Sequence, residues 1–151
     1  MTPRRVRLLA AAGPLVAAAL GGVATDPDSR WFRELDKPEW YPPPQAFGIV
    51  WSALYTGIGW ASGQVLSKGG GPAFARAYTA NLALNTAWTP LFFRAHRPWA
   101  AAADSAVLTA STVGLVRRAW PVSRAAAVVL MPYAAWTAFA TALSTAIARR
   151  N

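Results

Sequence analysis

Long apolar segments alternate with short polar connections along this chain. Most of the charged residues stand in the connections, and five apolar segments lie between them. Roughly 20 helical residues are needed to cross a bilayer core about 30 Å thick. The pattern therefore predicts an all-α fold, an integral membrane bundle of five transmembrane helices at about 8–24, 44–66, 74–93, 99–116 and 123–148.

The first apolar segment has two interpretations. Three arginines precede an apolar run from Leu8 to Ala24, and the run ends in small residues. A basic start, an apolar middle and a small-residue ending are typical of a signal peptide. The run is also about as long as the shortest workable transmembrane helix. The residues alone leave both interpretations open.

The second segment carries an aromatic stripe. It begins after the consecutive prolines 42–44, which restrict the backbone so that a helix starts with them and not before them. Phe47, Trp51 and Tyr55 then recur every fourth residue, so one helix face carries three aromatic rings. In an arbitrary protein such a stripe is more often packing core than ligand site.

Polar side chains also fall within the predicted spans. Asn81, Asn85 and Trp88 share one face of the third helix. A carboxamide at hydrocarbon depth needs a partner inside the bundle, so Asn85 is predicted to point inward. Contact with another helix and contact with a ligand both fit that position.

The loop 25–43 holds five of the six acidic residues, together with Trp31 and Trp40. One interpretation is a solvated connection whose indoles rest among lipid headgroups. The other is a structured lid over the bundle, because a loop of this length rich in aromatics and prolines is rarely without structure.

Composition and charge support a membrane protein. The chain has 151 residues, which predicts one domain, and 54% of them are hydrophobic. The net charge of +9 is spread over short clusters that flank the apolar segments, so we expect lipid bilayer contact and no nucleic-acid partner. With the amino terminus inside, eight basic residues lie inside and seven outside. This near tie does not decide orientation, although the basic amino-terminal segment favours an inside amino terminus.

Several kinds of chemistry are excluded by residue type. There is no cysteine, so thiolate ligands and cysteine nucleophiles are absent, and His96 is the single histidine. No metal site is expected. Phosphate-binding glycine loops and the common hydrolase motifs are also missing.

Three groups of residues occur in the order typical of one known family. They are Trp31, Lys37, Pro38, Trp40, Pro42, Pro43, Phe47, Val50, Trp51, Leu54 and Tyr55; then Asn81, Leu84, Asn85, Trp88, Leu91, Phe92 and Phe93; and then Pro132, Tyr133, Trp136, Phe139, Ala140 and Leu143. In this order they resemble the TspO/MBR family, the tryptophan-rich sensory proteins related to the mitochondrial translocator protein. The resemblance covers most of the chain.

The resemblance implies an architecture and a location. It assigns an uncleaved first helix to residues 8–24, a lid to the loop 25–43 and a single membrane domain to residues 1–151. A multi-pass protein of the bacterial cell membrane that forms a homodimer is expected. Sterol binding through the motif of animal members is not expected, because the end of the fifth helix, residues 143–149, lacks the required tyrosine.

The resemblance also implies a ligand. Related proteins bind porphyrins such as protoporphyrin IX and other flat hydrophobic molecules, as receptors, sensors or transporters. No cofactor is expected, and the porphyrin would be the ligand. The alternative is a light- and oxygen-dependent enzyme that degrades the porphyrin with Trp51 and Trp136. Carried over by position, and extended to the inward aromatics Tyr55 and Phe92, the predicted ligand-binding residues are Trp31, Trp40, Phe47, Trp51, Tyr55, Asn85, Trp88, Phe92, Trp136 and Ala140. Basic residues at the rim of this predicted pocket, Arg30, Arg33 or Lys37, would bind the porphyrin carboxylates.

Overall fold

The computed structural model describes residues 1–151, and they form helices and no strands. The all-α prediction is confirmed. Five helices are long and one is a single short turn in the first loop. They are α1 (Pro3–Ala24), α2 (Arg30–Glu34), α3 (Pro44–Ser67), α4 (Gly71–Phe93), α5 (Pro98–Ala119) and α6 (Arg124–Arg150).

Helix ends follow local capping chemistry. α1 begins five residues before the predicted Leu8, because Thr2 caps it with a side-chain oxygen 3.4 Å from the Arg5 nitrogen and Pro3 occupies its first turn. α3 begins at Pro44, the last of the three prolines. Ser123 caps α6, its hydroxyl accepting from the Ala126 N–H at 3.4 Å. A helix start predicted only from the apolar run therefore leaves out the polar residues of the first turn.

The five long helices form a closed ring. α1 packs against α3 and α4, α3 packs against α6, and α5 lies between α6 and α4. At the contact between α1 and α3, a Cβ on Gly59 would lie 3.2 Å from the Ala11 Cα, and one on Gly63 would lie 3.2 Å from the Arg7 Cα. The two glycines therefore allow the close approach of these antiparallel helices.

The ring has two chemically different ends. The lid end consists of the loop 25–43 with α2, the turn 94–97 and the end of α6. The opposite end, which we call the basic end, consists of the start of α1, the connections 68–70 and 120–123 and the adjoining helix turns. All six acidic residues belong to the half of the bundle at the lid end. The basic end has eight basic residues and no acidic one: Arg4, Arg5, Arg7, Lys68, Arg76, Arg117, Arg118 and Arg124.

The long helices have the length that membrane crossing requires. α1, α5 and α6 also have the apolarity of membrane spans. α3 and α4 are 24 and 23 residues long and carry more polar and aromatic side chains, including the inward-facing Asn81 and Asn85. At about 1.5 Å per residue each helix is about 33 to 40 Å long, enough for the bilayer core. Exposed leucines and valines on α1, such as Leu8 and Leu15, give it an apolar outer surface.

Candidate functional site

Aromatic side chains at the lid end form one continuous network. The Trp31 ring meets the edge of Phe92 at 5.3 Å between centroids, and Phe92 stacks on Trp88 at 5.0 Å. On the other side of the lid, Tyr41 contacts Phe47 at 5.5 Å. We call the connected set the aromatic network: Trp31, Phe32, Trp40, Tyr41, Phe47, Trp51, Tyr55, Trp88, Phe92, Phe93, Tyr133, Trp136 and Phe139.

The network joins the lid to three helices. Trp136 of α6 meets the Phe47 ring at 5.9 Å and the Trp51 ring at 6.5 Å, both edge to face. Trp51 in turn stacks on Tyr55 at 5.2 Å. These distances are the ones aromatic pairs prefer, and each such pair is worth about 0.5 to 1.5 kcal/mol beyond its buried area. The network therefore links the lid to α3, α4 and α6.

The loop 25–43 is a structured element packed on the bundle. Ser29 caps α2 by accepting from the Phe32 N–H at 3.2 Å. Lys37 donates to the Phe32 carbonyl at 2.6 Å and lies 4.4 Å from the centroid of the same ring, a cation–π contact. Burial raises the pKa of the Tyr41 phenol above its usual 10.0. The loop has its own internal bonds, and we keep the name lid for it.

Two further contacts tie the lid down. The Trp31 ring stacks on His96 of the turn 94–97 at 4.3 Å. The Asn151 side chain accepts from the Asp36 N–H and donates to the Asp36 carbonyl, both at 2.9 Å. α2 itself has no buried residue. These two contacts add to the ring contacts that the lid makes with Phe92, Phe47 and Phe139.

A chain of hydrogen bonds extends from the network into the interior of the ring, and Tyr55 and Tyr133 belong to both. The Tyr55 hydroxyl donates to the side-chain oxygen Oδ1 of Asn85 at 2.8 Å, and Asn85 Nδ2 donates to the Tyr133 hydroxyl at 3.0 Å. Tyr133 donates to Asn81 at 2.9 Å, and Asn81 donates to Thr112 at 3.0 Å. We call these five residues the polar chain. It satisfies buried amides of α4 with hydroxyls from α3, α5 and α6, as a membrane interior requires.

Two cavities lie along α1, and neither is inside the aromatic network. One, of about 760 Å³, lies between α1 and α3, and the other, of about 580 Å³, lies between α1 and α4. Tyr55 is the one member of the network that lines the first cavity. Beneath the lid the rings are in contact with one another.

Comparison with known proteins supports a single relationship. Residues 10–150 match the model of the TspO/MBR family. The chain belongs to the TspO/MBR family.

Several relatives of this TspO/MBR chain cover most of its length. It is 37% identical to the translocator protein of Homo sapiens over 81% of this chain and 75% of that protein. It is 35% identical to the tryptophan-rich sensory protein of Cereibacter sphaeroides over 95% and 88%, and 30% identical to protein CrtK of Rhodobacter capsulatus over 80% and 78%. The TspO/MBR family is one of membrane sensors and translocators, and this chain is a multi-pass integral membrane protein.

In this TspO/MBR protein, most of the predicted site residues are brought together. Eight of the ten are members of the aromatic network. Asn85 lies just below it and is bonded to Tyr55 and Tyr133, so contact between helices accounts for its inward position. Ala140 lies one turn after Trp136 on α6 and is partly buried. Trp40 is the most exposed of the set, at 50%, and packs its ring edge on Phe139.

The rim arginines and lysine differ in their availability. Arg30 is paired with Glu34 at 2.7 Å, and Lys37 is bonded to the lid backbone. Arg33 is exposed and has no ion pair. Of the three basic residues predicted to face a ligand carboxylate, Arg33 is the one whose side chain is uncommitted.

Five members of the network lie outside the predicted site: Phe32, Tyr41, Phe93, Tyr133 and Phe139. Phe32 and Tyr41 contact each other at 6.4 Å and connect the two halves of the network. Each stands beside a predicted site tryptophan in the sequence, which was the available signal. Tyr133 precedes Trp136 by three residues and so shares its helix face.

Proposed function

We propose that this protein binds flat hydrophobic ligands of the porphyrin type at the lid end, and that it acts there as a membrane sensor or transporter. The observation that carries the proposal is the continuous aromatic network from the lid to α3, α4 and α6. Aromatic faces stack on flat conjugated rings, and an apolar site with a few polar groups is the usual composition of a small-molecule site.

Binding requires the lid to move. The rings beneath it are in contact, for example Trp31 with Phe92 at 5.3 Å. A flat ligand therefore enters by separating the lid rings from the rings of α4 and α6. The lid suits this motion, because α2 buries no residue whereas the helices below are closely packed.

Charge at the lid end fits the carboxylates of such a ligand. Arg33 is exposed and without an ion pair, and Arg97 is exposed on the neighbouring turn. A guanidinium binds a carboxylate with two parallel hydrogen bonds. The ligand would thus place its ring in the aromatic network and its carboxylates at the rim.

Absorbance titration with protoporphyrin IX in the dark tests this proposal. We expect saturable binding to protein in nanodiscs, and about tenfold weaker binding for Trp136→Ala, because about 1.4 kcal/mol of lost contact corresponds to tenfold in affinity. Trp120→Ala is the matched control, since Trp120 is 44% exposed at the basic end and outside the network. Equal affinity in the wild type and both variants would contradict a site in the aromatic network.

A light-dependent reaction is the second candidate function. Trp51 and Trp136 stand edge to face at 6.5 Å within one network, so a ligand stacked on either indole lies near the other. In this proposal the excited porphyrin loses one electron, an indole relays that electron, and molecular oxygen accepts it and becomes superoxide. Illumination should bleach the bound porphyrin in the wild type and not in Trp51→Phe/Trp136→Phe, which keeps aromatic bulk. Equal bleaching in both would exclude a role for the indoles.

Homodimer formation is the remaining part of the proposal. The exposed Ala106 and Ala110 and the partly exposed Gly114 form a row of small residues on the outer face of α5, which would let a second copy approach closely. Cross-linking in nanodiscs should yield a dimer for the wild type and less of it for Ala106→Leu/Ala110→Leu. An undiminished dimer would place the interface on another helix.

A further inference from the structure

A groove runs along the outside of the bundle between α1 and α3. It has a volume of about 760 Å³ and is formed on one side by Leu8, Ala11, Pro14, Leu15 and Ala18 of α1. Gly59 and Trp60 of α3 line its other side, and the Trp60 side chain is 47% exposed. From Arg4 to Ala18 the groove follows α1 for about 21 Å. This length exceeds one leaflet of a bilayer core about 30 Å thick, so an acyl chain fits along it.

Two arginines stand at the mouth of this groove. Arg4 and Arg7 both line it, and Gln64 lies opposite them on α3. Arg7 donates through Nε to the Ser67 hydroxyl at 3.2 Å, and Ser67 donates to the Gln64 carbonyl at 3.2 Å. These bonds orient the guanidinium at the mouth. Its terminal N–H groups have no partner within the chain, and Arg4 has no ion pair.

No carboxylate competes for these arginines. The basic end carries eight basic residues and no acidic one, so the chain itself offers no counter-charge there. An anion from the surroundings is the natural partner, and a phosphate matches the forked guanidinium donors. A basic surface beside an apolar groove, at the depth of the headgroups, is complementary to an acidic lipid.

We propose that the groove between α1 and α3 is a binding site for an anionic phospholipid of the leaflet at the basic end. The phosphate lies on Arg4 and Arg7, and one acyl chain follows the apolar wall of α1 beside Trp60. This site shares only Tyr55 with the aromatic network, and its lipid ligand does not depend on the porphyrin proposal.

The test compares lipid adducts of the detergent-purified protein by native mass spectrometry, with phosphatidylglycerol and phosphatidylcholine of the same acyl chains. We expect the wild type to retain phosphatidylglycerol in several-fold preference. Arg4→Gln/Arg7→Gln should lower its retention about tenfold, because two charge-assisted contacts are lost. The matched control is Arg117→Gln/Arg118→Gln, which removes the same charge at the same end but away from the groove and should retain the lipid as the wild type does.

A second variant separates the groove from the charge. Ala18→Phe fills the apolar part of the groove without changing any charge, and should also lower retention. If the arginine variant does not fold, Ala18→Phe by itself still tests the proposal. Equal retention of both lipids by the wild type, equal loss in the two arginine double variants, or full retention by Ala18→Phe would each overturn the proposal. Competition by inorganic phosphate alone would show a free-anion site and would also overturn it.

Discussion

The polar chain allows a sharp prediction about stability. Tyr133 is fully buried, and its hydroxyl accepts from Asn85 at 3.0 Å and donates to Asn81 at 2.9 Å. Tyr133→Phe removes one oxygen and keeps the ring. It leaves one amide donor and one amide acceptor without partners in the bundle interior.

The magnitude follows from these two bonds. A hydrogen bond between membrane helices is worth about 0.6 kcal/mol on average, which sets the lower estimate near 1 kcal/mol for two bonds. A buried polar group left unsatisfied costs about 1 to 3 kcal/mol, so two such groups set the upper estimate near 6 kcal/mol. Tyr133→Phe should therefore lower the free energy of unfolding by about 1 to 6 kcal/mol.

Reversible unfolding in mixed micelles, with increasing denaturing detergent and followed by circular dichroism, measures this loss. Tyr41→Phe is the matched control, because the Tyr41 hydroxyl belongs to the lid and is not part of the polar chain. It should change the free energy of unfolding by less than about 0.5 kcal/mol at neutral pH. Adding Asn85→Leu to Tyr133→Phe should cost less than the sum of the single changes, since the two residues share a bond. A loss for Tyr133→Phe no larger than that of the control would refute the role given to the polar chain.

Three further predictions concern the helix contact and the lid. Gly59→Leu should lower the free energy of unfolding by about 1 to 3 kcal/mol or more, because the new side chain overpacks against α1. Gly48→Leu should not, because a Cβ at Gly48 has no other atom within 4 Å. Equal effects of the two substitutions in the same unfolding assay would argue against the close contact between α1 and α3. Asn151→Ala removes both hydrogen bonds to Asp36. It should raise the rate of amide hydrogen exchange in the lid several-fold, while α4 and α6 stay protected. An equal change in exchange rate in the lid and in these helices would contradict this prediction. Folding raises the pKa of Tyr41 above 10.0, so the unfolded chain loses the phenol proton first, and this contribution to stability is present below about pH 10 and declines at higher pH. The free energy of unfolding should therefore fall less steeply with pH in Tyr41→Phe than in the wild type. Parallel pH profiles of the two proteins would contradict the raised pKa of Tyr41.

The helices could be predicted from the sequence because their causes are local. Apolar runs of membrane-crossing length and the prolines 42–44 define α3 and its start without reference to any other helix. The start of α1 was placed five residues late because it depends on a cap by Thr2 and not on apolarity. The short helix α2 was not predicted either, since five residues are too few for a periodic pattern.

The candidate site was predictable in part. Helical spacing correctly put Phe47, Trp51 and Tyr55 on one face, but spacing does not say what that face meets. In the structure Phe47 and Trp51 meet Trp136, while Tyr55 bonds to Asn85 and lines the groove along α1. The partner of Asn85 stayed open for the same reason.

The sequence by itself determined that this is a helical membrane protein of the TspO/MBR family, because apolar length, turn chemistry and the order of rare residues are all present in the linear chain. The tertiary structure alone decided the order of helices around the ring, which places α3 beside α6 and brings Trp51 to Trp136. It also decided that Tyr133 bonds to two asparagines and that a groove with two arginines opens along α1. Contacts between segments distant in sequence depend on how whole helix surfaces fit together, and no local pattern records that fit.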